Sequence, residues 1–183
     1  SARPVKGLRK IELSDLLNRK PVQTDLAAVS RLVKGKNVLV TGAGGTIGSE
    51  LCRQIIGFAP KNLLLLDNHN TALFYADREM VELAENSGVV SLAGDVKDQT
   101  MLNNIFKTYK PELVFHAAAH KHVPLMEANP QEAVKNNTLA THLLAETAAA
   151  HGAERMLFIS TDKAVRPSSV MGASKRLGEM VMA

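Results

Sequence analysis

From Asn37 onward, short apolar runs alternate regularly with longer segments, and this alternation constrains the fold more than any other feature of the sequence. Five runs, among them NVLVTG, NLLLLD and RMLFIST, have the length and the Val, Ile and Leu content of buried parallel strands. The segments between them carry helical signals, such as the apolar spacing of about 3.6 residues in TIGSELCRQIIGF. Strict alternation predicts an α/β fold, a doubly wound parallel sheet with helices on both faces.

The composition fits one domain of this kind. A chain of 183 residues is long enough to bury a sizeable core, and its mean hydropathy is near zero. No apolar run approaches the length that spans a membrane, so we expect the chain as given to be soluble. Cys52 is the single cysteine, which excludes an internal disulfide and fits a reducing compartment.

Charge separates the start of the chain from the rest. Residues 1–36 carry nine Lys or Arg against three Asp or Glu, and the remaining residues carry thirteen against fifteen. We therefore divide the chain into a basic leader, residues 1–35, and a domain, residues 36–183. The leader contains two helical-looking pieces, IELSDLLNR and TDLAAVSRLVKG. It fits an anionic membrane surface or a solvated linker, and the lack of aromatic residues for base stacking argues against nucleic acid.

A glycine-rich turn, VTGAGGTIGSEL, follows the first run. Gly42 allows a tight turn, Gly45 lets the backbone approach a pyrophosphate, and Gly48 lets the next helix pack close to the strand. The first turn of that helix, with Thr46 and Ile47, offers free N–H groups to phosphates. The spacing predicts a dinucleotide-binding domain of the Rossmann type.

Two aspartates follow the second and third runs. Asp67 lies nineteen residues after Gly48, where a carboxylate can accept both ribose hydroxyls of an adenosine. It repels a 2′-phosphate, and DNHNTALF contains no Lys or Arg to bind one, so the sequence favours NAD over NADP. Asp95 and Val96 are candidates for contacting the adenine edge. Asp95 is an equally good candidate for capping the helix that starts near Asp98.

The stretch FHAAAHKHVPLMEANP follows the fourth run. The small side chains of Ala117 and Ala118 leave room for a bound ribose and nicotinamide. Lys121 and His122 are candidates for binding an anionic substrate, or else are solvated loop charges. The histidines here have neither the spacing of a helical pair nor a nearby cysteine, so we predict no metal site.

Two helices complete the predicted domain. Asn129, Pro130 and Glu132 have the pattern of a capping box at the start of a helix. That helix is predicted to run to about His151, where Gly152 ends it. The last helix is predicted to start near Met171.

ISTDKAVRPSSVMGASK, after the fifth run, carries the residues expected to do chemistry. Lys175 stands where a Rossmann-type reductase keeps its lysine, but Met171 stands where such enzymes carry a tyrosine, and a thioether cannot take a proton from a substrate hydroxyl. Thr161, Asp162 and Lys163 lie at the carboxyl end of the fifth strand, where substrates meet nicotinamide in such sheets. The alternative is that Asp162 and Lys163 only form an ion pair in a loop.

Four motifs together resemble one family. VTGAGGTIGSEL, GDV, FHAAAHKHVPLMEANPQEAVKNN and ISTDKAVRPSSVMGASKRLGE are similar to the CapD-like polysaccharide-biosynthesis branch of the extended short-chain dehydrogenase/reductases, and LRKIELSDLLNRKPV extends the resemblance into the leader. Members of this branch are nucleotide-sugar 4,6-dehydratases, typically acting on UDP-N-acetylglucosamine, and they also lack the tyrosine. The resemblance implies transient oxidation at C4 by NAD, loss of water across C5 and C6, and return of the hydride to C6.

The resemblance also implies roles for individual residues. Asp162 would protonate the departing C6 hydroxyl, Lys163 would deprotonate C5, and Thr161 would hydrogen-bond the oxygen at C4. The group that first takes the proton of the C4 hydroxyl stays open between Lys163, a water molecule and Lys175. Asn137 resembles the helix asparagine that supports the active site, and we place it among the substrate-binding residues; a buried polar cap would explain it equally well.

The resemblance has consequences beyond this chain. Family members continue into a lobe that binds the nucleotide-sugar, so we expect the domain to be truncated before that lobe. We therefore expect the 183-residue chain to bind NAD and to turn over little or no UDP-sugar, and ready product formation by it would contradict this. Long members carry a transmembrane region before the leader. This implies a full-length protein tethered at the cytoplasmic side of the bacterial inner membrane, and we expect it to be a homo-oligomer.

Two other functions fit parts of the sequence. One is a nucleotide-sugar 4-epimerase, against which Met171 and the STDKA motif argue, because epimerases of this superfamily resemble the pattern that contains tyrosine. The other is a dinucleotide-binding sensor without catalytic activity.

Overall fold

Five parallel strands form a single sheet in the order β3-β2-β1-β4-β5. The structure, a computed structural model, describes residues 24–182. The strands are β1 Asn37–Thr41, β2 Asn62–Asp67, β3 Gly88–Ala93, β4 Leu113–His116 and β5 Arg155–Phe158. Because β2 and β4 both pair with β1, the sheet grows in opposite directions on the two sides of β1.

Helices fill every connection between the strands. They are α1 Leu26–Val33, α2 Thr46–Ile56, α3 Asn70–Leu83, α4 Gln99–Tyr109, α5 Val123–Ala128, α6 Pro130–Val134, a π-helix Lys135–Leu139, α7 Ala140–Ala150, a 3₁₀ turn Asp162–Ala164 and α8 Val170–Met182. The predicted fold, a doubly wound parallel sheet of the Rossmann type, is confirmed. The predicted start of the last helix near Met171 is confirmed by α8.

The apolar runs are buried on both faces of the sheet. Side chains alternate between faces along a strand, so Leu63 and Leu65 of β2 pack with α1, α2 and α3 on one side. Leu64 and Leu66 pack with α4 and α7 on the other side. All four leucines are inaccessible to solvent. A continuous apolar run therefore has a simple cause, which is that helices cover both faces.

Helix α1 comes from the predicted leader and packs onto the sheet. Its last residue, Val33, is fully buried in the same cluster as Leu63. Asp25 caps the helix, because its carboxylate accepts the N–H of Ala28 at 2.9 Å. The first helical-looking piece of the leader, IELSDLLNR, lies outside the described residues. The division of the chain at residue 35 stays a prediction.

The helix predicted to run to about His151 is present and ends at Ala150. Its turns are continuous from Pro130, but its middle stretch, Lys135–Leu139, is a π-helix, the one-turn insertion that often marks a functional site. Asn129 is the N-cap residue of α6 and Pro130 its first residue, as predicted, but the side-chain hydrogen bonds of a capping box are absent. The Asn129 amide N–H donates instead to the carbonyl oxygen of Leu125 on α5 at 2.9 Å. Glu132 pairs with Lys135 at 3.3 Å.

Strand β4 ends at His116, and β5 ends at Phe158, three residues before the end of the predicted run RMLFIST. Ala117–Ala119 and Ile159–Thr161 follow the strands as irregular backbone and line a cavity. Within residues 24–182, no helix is both long and apolar enough to cross a membrane.

Candidate active site

A cavity of about 470 Å³ lies at the carboxyl ends of the strands. Residues at or just after the carboxyl end of each strand line it: Gly42 follows β1, Asp67 ends β2, Gly94 follows β3, Ala117 follows β4 and Ile159 follows β5. The cavity includes the point where β1 separates the two directions of sheet growth. Open α/β sheets bind their ligands at this point, because the loops on either side diverge there.

The glycine-rich turn is packed as the sequence predicts. Gly42 has a φ of 68°, and a Cβ there would lie 2.6 Å from the backbone nitrogen of Ala118. A Cβ on Gly48 would overlap the carbonyl oxygen of Gly42. Gly45 begins α2 without a side-chain cap, and Thr46 and Ile47 of its first turn line the cavity. N–H groups of a first helical turn have no partner within the helix, so they suit phosphate oxygens.

Asp67 is held rigidly at the same rim. One of its carboxylate oxygens accepts the N–H of Gly44 at 2.9 Å, and the other accepts the N–H of His69 at 2.8 Å. Each oxygen keeps a further lone pair that can accept a hydroxyl group. The glycine turn and Asp67 lie together around one cavity, so the arrangement fits the phosphates and a ribose of a dinucleotide.

Asp95 does not line the cavity, whereas Val96 does. The Asp95 carboxylate accepts the N–H of Lys97 at 2.9 Å and the side-chain N–H of Asn68 at 3.3 Å. The alternative that Asp95 caps α4 is wrong, because Asp98 caps it with its own carboxylate. Asp95 therefore closes the turn after β3 and orders the backbone around Val96.

Lys175 is nearly buried, yet it lines the cavity. Its ammonium group donates to the carbonyl oxygen of Ile159 at 2.6 Å and lies 3.7 Å from the centre of the Phe158 ring. Burial lowers the pKa of Lys175 to about 8. The amine is therefore positioned at the exit of β5 and exchanges its proton more readily than a surface lysine.

Met171 occupies the position, one helical turn before Lys175, where Rossmann-type reductases carry a tyrosine. It is 3% exposed, packs against Met126 and Ala133, and lines the cavity. Gly172 permits this packing, because a Cβ there would collide with the carbonyl oxygen of Lys163. This wall of the cavity is apolar and offers no group that takes up a proton.

Thr161, Asp162 and Lys163 lie together in the loop after β5. The Thr161 hydroxyl donates to Asp162 at 3.0 Å and accepts the N–H of Lys163 at 3.3 Å. Thr161 and Lys163 line the cavity, but Asp162 does not, and its side chain is 89% exposed. The Thr161 hydroxyl and the charge of Lys163, 3.6 Å away, lower the pKa of Asp162. The loop ion pair is thus present, and the Asp162 carboxyl is ionised at neutral pH.

The three residues predicted to contact substrate are placed differently. Lys121 lines the cavity and His122 does not. Asn137 is fully buried in the π-helix, where its amide accepts the N–H of His120 at 2.8 Å and donates to the carbonyl of His120 at 3.0 Å and to the hydroxyl of Ser174 at 3.0 Å. It therefore joins two segments of the site and does not line the cavity, which fits the alternative of a buried polar group; contact of Asn137 with substrate stays a prediction.

Sequence reasoning missed several residues of this site. Asn136, beside Asn137, lines the cavity, and His120 lines it as well. His116, at the end of β4, is fully buried among polar groups. The consecutive asparagines of VKNN were the available signal, but the unpredicted π-helix decides which of the two faces the cavity. Within residues 24–182, no group of three His, Cys, Asp or Glu side chains is arranged to bind a metal ion.

Comparison with known proteins identifies the family. Residues 38–183 match a family described as polysaccharide biosynthesis proteins. The chain belongs to this family. It is 46% identical over 179 residues to the capsular polysaccharide biosynthesis protein CapD of Staphylococcus aureus, covering 97% of this chain and 30% of CapD. The resemblance inferred from the motifs is thereby confirmed at the level of the family.

More distant relatives of this chain have names that give different reactions. It is 29% identical over 145 residues to a UDP-N-acetylglucosamine 4,6-dehydratase (inverting) of Campylobacter jejuni, covering 79% of this chain and 42% of that one. It is 32% identical over 148 residues to a UDP-glucose 4-epimerase of Rickettsia bellii, with the same coverage of 79% and 42%. The chain spans less than half the length of these relatives and about a third of the length of CapD.

Solved structures share the fold of this family member. Pen from Bacillus thuringiensis superposes with a TM-score of 0.74 at 30% identity, covering 81% of this chain and 44% of that one. MoeE5 in complex with UDP-glucose and NAD superposes with a TM-score of 0.67 at 25% identity, covering 80% and 48%.

Proposed function

We propose that the whole protein is an NAD-dependent nucleotide-sugar 4,6-dehydratase of bacterial surface polysaccharide biosynthesis, and that it acts on UDP-N-acetylglucosamine. The observation that carries the proposal is that an apolar Met171, Lys175, Thr161 and Lys163 all line one cavity, with the loop that carries Lys163 packed against Gly172 of α8. The Campylobacter relative with this reaction in its name supports the substrate and the chemistry. The structure of MoeE5 with UDP-glucose and NAD supports both ligands.

The described residues fit a dinucleotide. The turn of Gly42, Gly45 and Gly48 would hold the pyrophosphate, Asp67 the adenosine ribose, and Lys175 the nicotinamide ribose. NAD bound there would accept a hydride from C4 of the sugar and return it to C6. The carboxylate of Asp67, whose two oxygens already accept backbone N–H groups, repels a 2′-phosphate, so we propose NAD and not NADP.

The chain's own groups would then move the protons. Lys163 lines the cavity and would take the proton from C5, for which its amine must first have released its own proton. The Thr161 hydroxyl would donate to the oxygen at C4. Asp162 would protonate the departing hydroxyl at C6. The Asp162 carboxyl is exposed and its pKa is lowered in this structure. The carboxyl would therefore hold a proton only after bound substrate shields it from water.

A 4-epimerase is the second candidate, favoured by the relative from Rickettsia bellii. Both reactions begin with removal of the C4 hydroxyl proton. They differ afterwards, because an epimerase needs no group that breaks the C5–H and C6–O bonds. An acid at C6, the role proposed for Asp162, is not needed in epimerisation, which is why we prefer dehydration.

The decisive experiment incubates the full-length protein with UDP-N-acetylglucosamine in deuterium oxide. We expect a 4-keto-6-deoxy sugar nucleotide with deuterium at C5, detected by mass spectrometry and NMR. Asp162→Asn and Lys163→Ala should each lower kcat roughly 10²–10⁴-fold, since each removes one acid or base group. Lys135→Ala is the matched control: Lys135 is as exposed as Lys163 and also pairs with an acid, but lies outside the cavity.

Three other results would contradict the proposal. A product epimerised at C4 without deuterium at C5 would favour the epimerase. Full activity in both variants would remove the roles assigned to Asp162 and Lys163. NAD binding without any conversion by the full-length protein would favour a sensor. The membrane tether and the homo-oligomer stay predictions, which vesicle flotation and gel filtration of the full-length protein would test.

A further inference from the structure

A row of three buried side chains, Thr41, His116 and Thr141, runs beside the cavity. None of the three lines the cavity itself. His116 is fully buried at the end of β4. Its Nδ1 lies 2.6 Å from the Thr41 hydroxyl at the end of β1, and its Nε2 lies 3.0 Å from the Thr141 hydroxyl on α7. The N–H of Ala118 lies 3.5 Å from the Thr41 hydroxyl, and the Thr141 hydroxyl donates to the carbonyl of Asn137 at 2.8 Å. The row therefore joins cavity-lining Ala118 to the π-helix.

Only one placement of the hydroxyl and imidazole protons satisfies all of these hydrogen bonds. Thr141 has a single hydroxyl proton and donates it to Asn137, so it can only accept from His116. The imidazole proton is therefore on Nε2, and Nδ1 accepts from Thr41; this tautomer is assigned from the network. Burial, and to a lesser degree the charge of Lys175, lowers the pKa of His116 to about 3, so the ring is neutral at pH 7.

Both ends of the row contact the proposed dinucleotide site. At one end, Ala118 packs so closely on Gly42 that no Cβ fits between them. At the other end, the π-helix fixes α8: the Thr138 hydroxyl donates to the carbonyl of Ser174 at 2.9 Å, and Ser174 precedes Lys175. A change in the length of the row would therefore move the Ala118 turn relative to Lys175.

We propose that His116 is a positioning residue that fixes the distance between the Ala118 turn and the π-helix, and thereby shapes the dinucleotide site without contacting the ligand. The inference rests on the proposed function in taking a dinucleotide as the ligand of this cavity. His116, Thr41 and Thr141 do not line the cavity, so their effect on binding must pass through the Ala118 turn and α8.

Thr141→Val tests the row, because valine keeps the shape of threonine and removes the hydroxyl. Thr147→Val is a matched control on the same helix. Thr147 is also buried, donates to the carbonyl four residues earlier, Leu143, at 2.7 Å, and accepts from a second side chain, Gln99, at 3.1 Å. It lies against α4 and not beside the site. Thr141→Ser keeps the hydroxyl and should rescue the wild-type behaviour.

We expect calorimetric titration of the 183-residue chain with NAD at pH 7 to give a Kd about tenfold weaker for Thr141→Val. Thr147→Val and Thr141→Ser should bind within about twofold of wild type. If Thr141→Val bound NAD as tightly as Thr147→Val, the positioning role would be refuted.

A second measurement needs no ligand. NMR of the ¹⁵N-labelled chain should show His116 with its proton on Nε2, and Thr141→Val should shift the amide signal of Ala118 while Thr147→Val leaves it in place. A His116 proton on Nδ1 would overturn the inference, and so would an Ala118 amide signal that does not shift in Thr141→Val. Absence of NAD binding by the wild-type chain would instead contradict the proposed cofactor, and the NMR result would then decide the inference by itself.

Discussion

Gly48→Ala is expected to destabilise the domain by about 3 kcal/mol and to abolish dinucleotide binding. The new Cβ would overlap the carbonyl oxygen of Gly42 and lie 2.6 Å from its carbonyl carbon and 3.0 Å from the Cα of Ala43. All three atoms belong to the backbone, so no side-chain rotation relieves the overlap. Helix α2 would have to move away from β1, and its first turn would no longer line the cavity correctly. Urea denaturation gives the free energy of unfolding, and titration with NAD gives the affinity.

Gly57→Ala is the matched control at the other end of α2. Gly57 has a φ of −66°, which alanine adopts freely, and a Cβ there would meet one atom, the carbonyl oxygen of Gln54, at an ordinary 3.5 Å. We expect unchanged binding and a free energy of unfolding within about 0.5 kcal/mol of wild type. Equal stability of the two variants would mean that the close packing of α2 on the glycine turn is not the constraint we describe.

Lys175→Met is expected to stabilise the domain at pH 7 and to abolish dinucleotide binding. Burial lowers the pKa of Lys175 from 10.5 to about 8, so the charged amine destabilises the folded state at neutral pH. A shift of that size corresponds to roughly 3 kcal/mol. The hydrogen bond to Ile159 and the contact with Phe158 offset part of it, so we expect a net gain of about 1–2 kcal/mol.

The pH dependence separates this effect from simple repacking. Between pH 8 and 10.5 the unfolded chain binds more protons at Lys175 than the folded chain does, so the stability contributed by this residue rises with pH through that window. We expect the advantage of Lys175→Met in urea denaturation to be large at pH 7 and to shrink towards pH 10.5. Lys107→Met, at an exposed position on α4, should show no such convergence. A constant difference at every pH would contradict the buried charge.

The fold was predictable because its signals are local. The run NLLLLD predicts β2, since helices cover both faces of that strand and every position must be apolar. The spacing of Gly42, Gly45 and Gly48 is likewise local: it describes one turn between one strand and one helix, and the structure folds it as predicted. Asp67 was found for the same reason, at the end of the next strand.

The site was predictable only in part. Thr161 and Lys163 follow directly from the end of β5, and both line the cavity. Asn137 is buried and Asn136 lines the cavity, and nothing in the periodicity of the sequence indicates the π-helix that carries both. The capping-box hydrogen bonds predicted at Asn129 are absent: Asn129 is the N-cap residue of α6, but its side-chain N–H donates to α5. The interior of the site depends on contacts between segments distant along the chain, such as those of Asn137 with His120 and Ser174.

The sequence by itself determined the order of strands and helices, the glycine turn, Asp67 and the replacement of a tyrosine by Met171, because each depends on residue type and spacing along a short segment. The tertiary structure alone decided that His116 is a neutral connector, that Asn137 clamps His120 to Ser174, and that Asp162 lies exposed while Lys175 lies buried. The physical reason is that hydrogen-bond partners and solvent exposure belong to the packed molecule, and the same side chain has a different pKa and a different role in each environment.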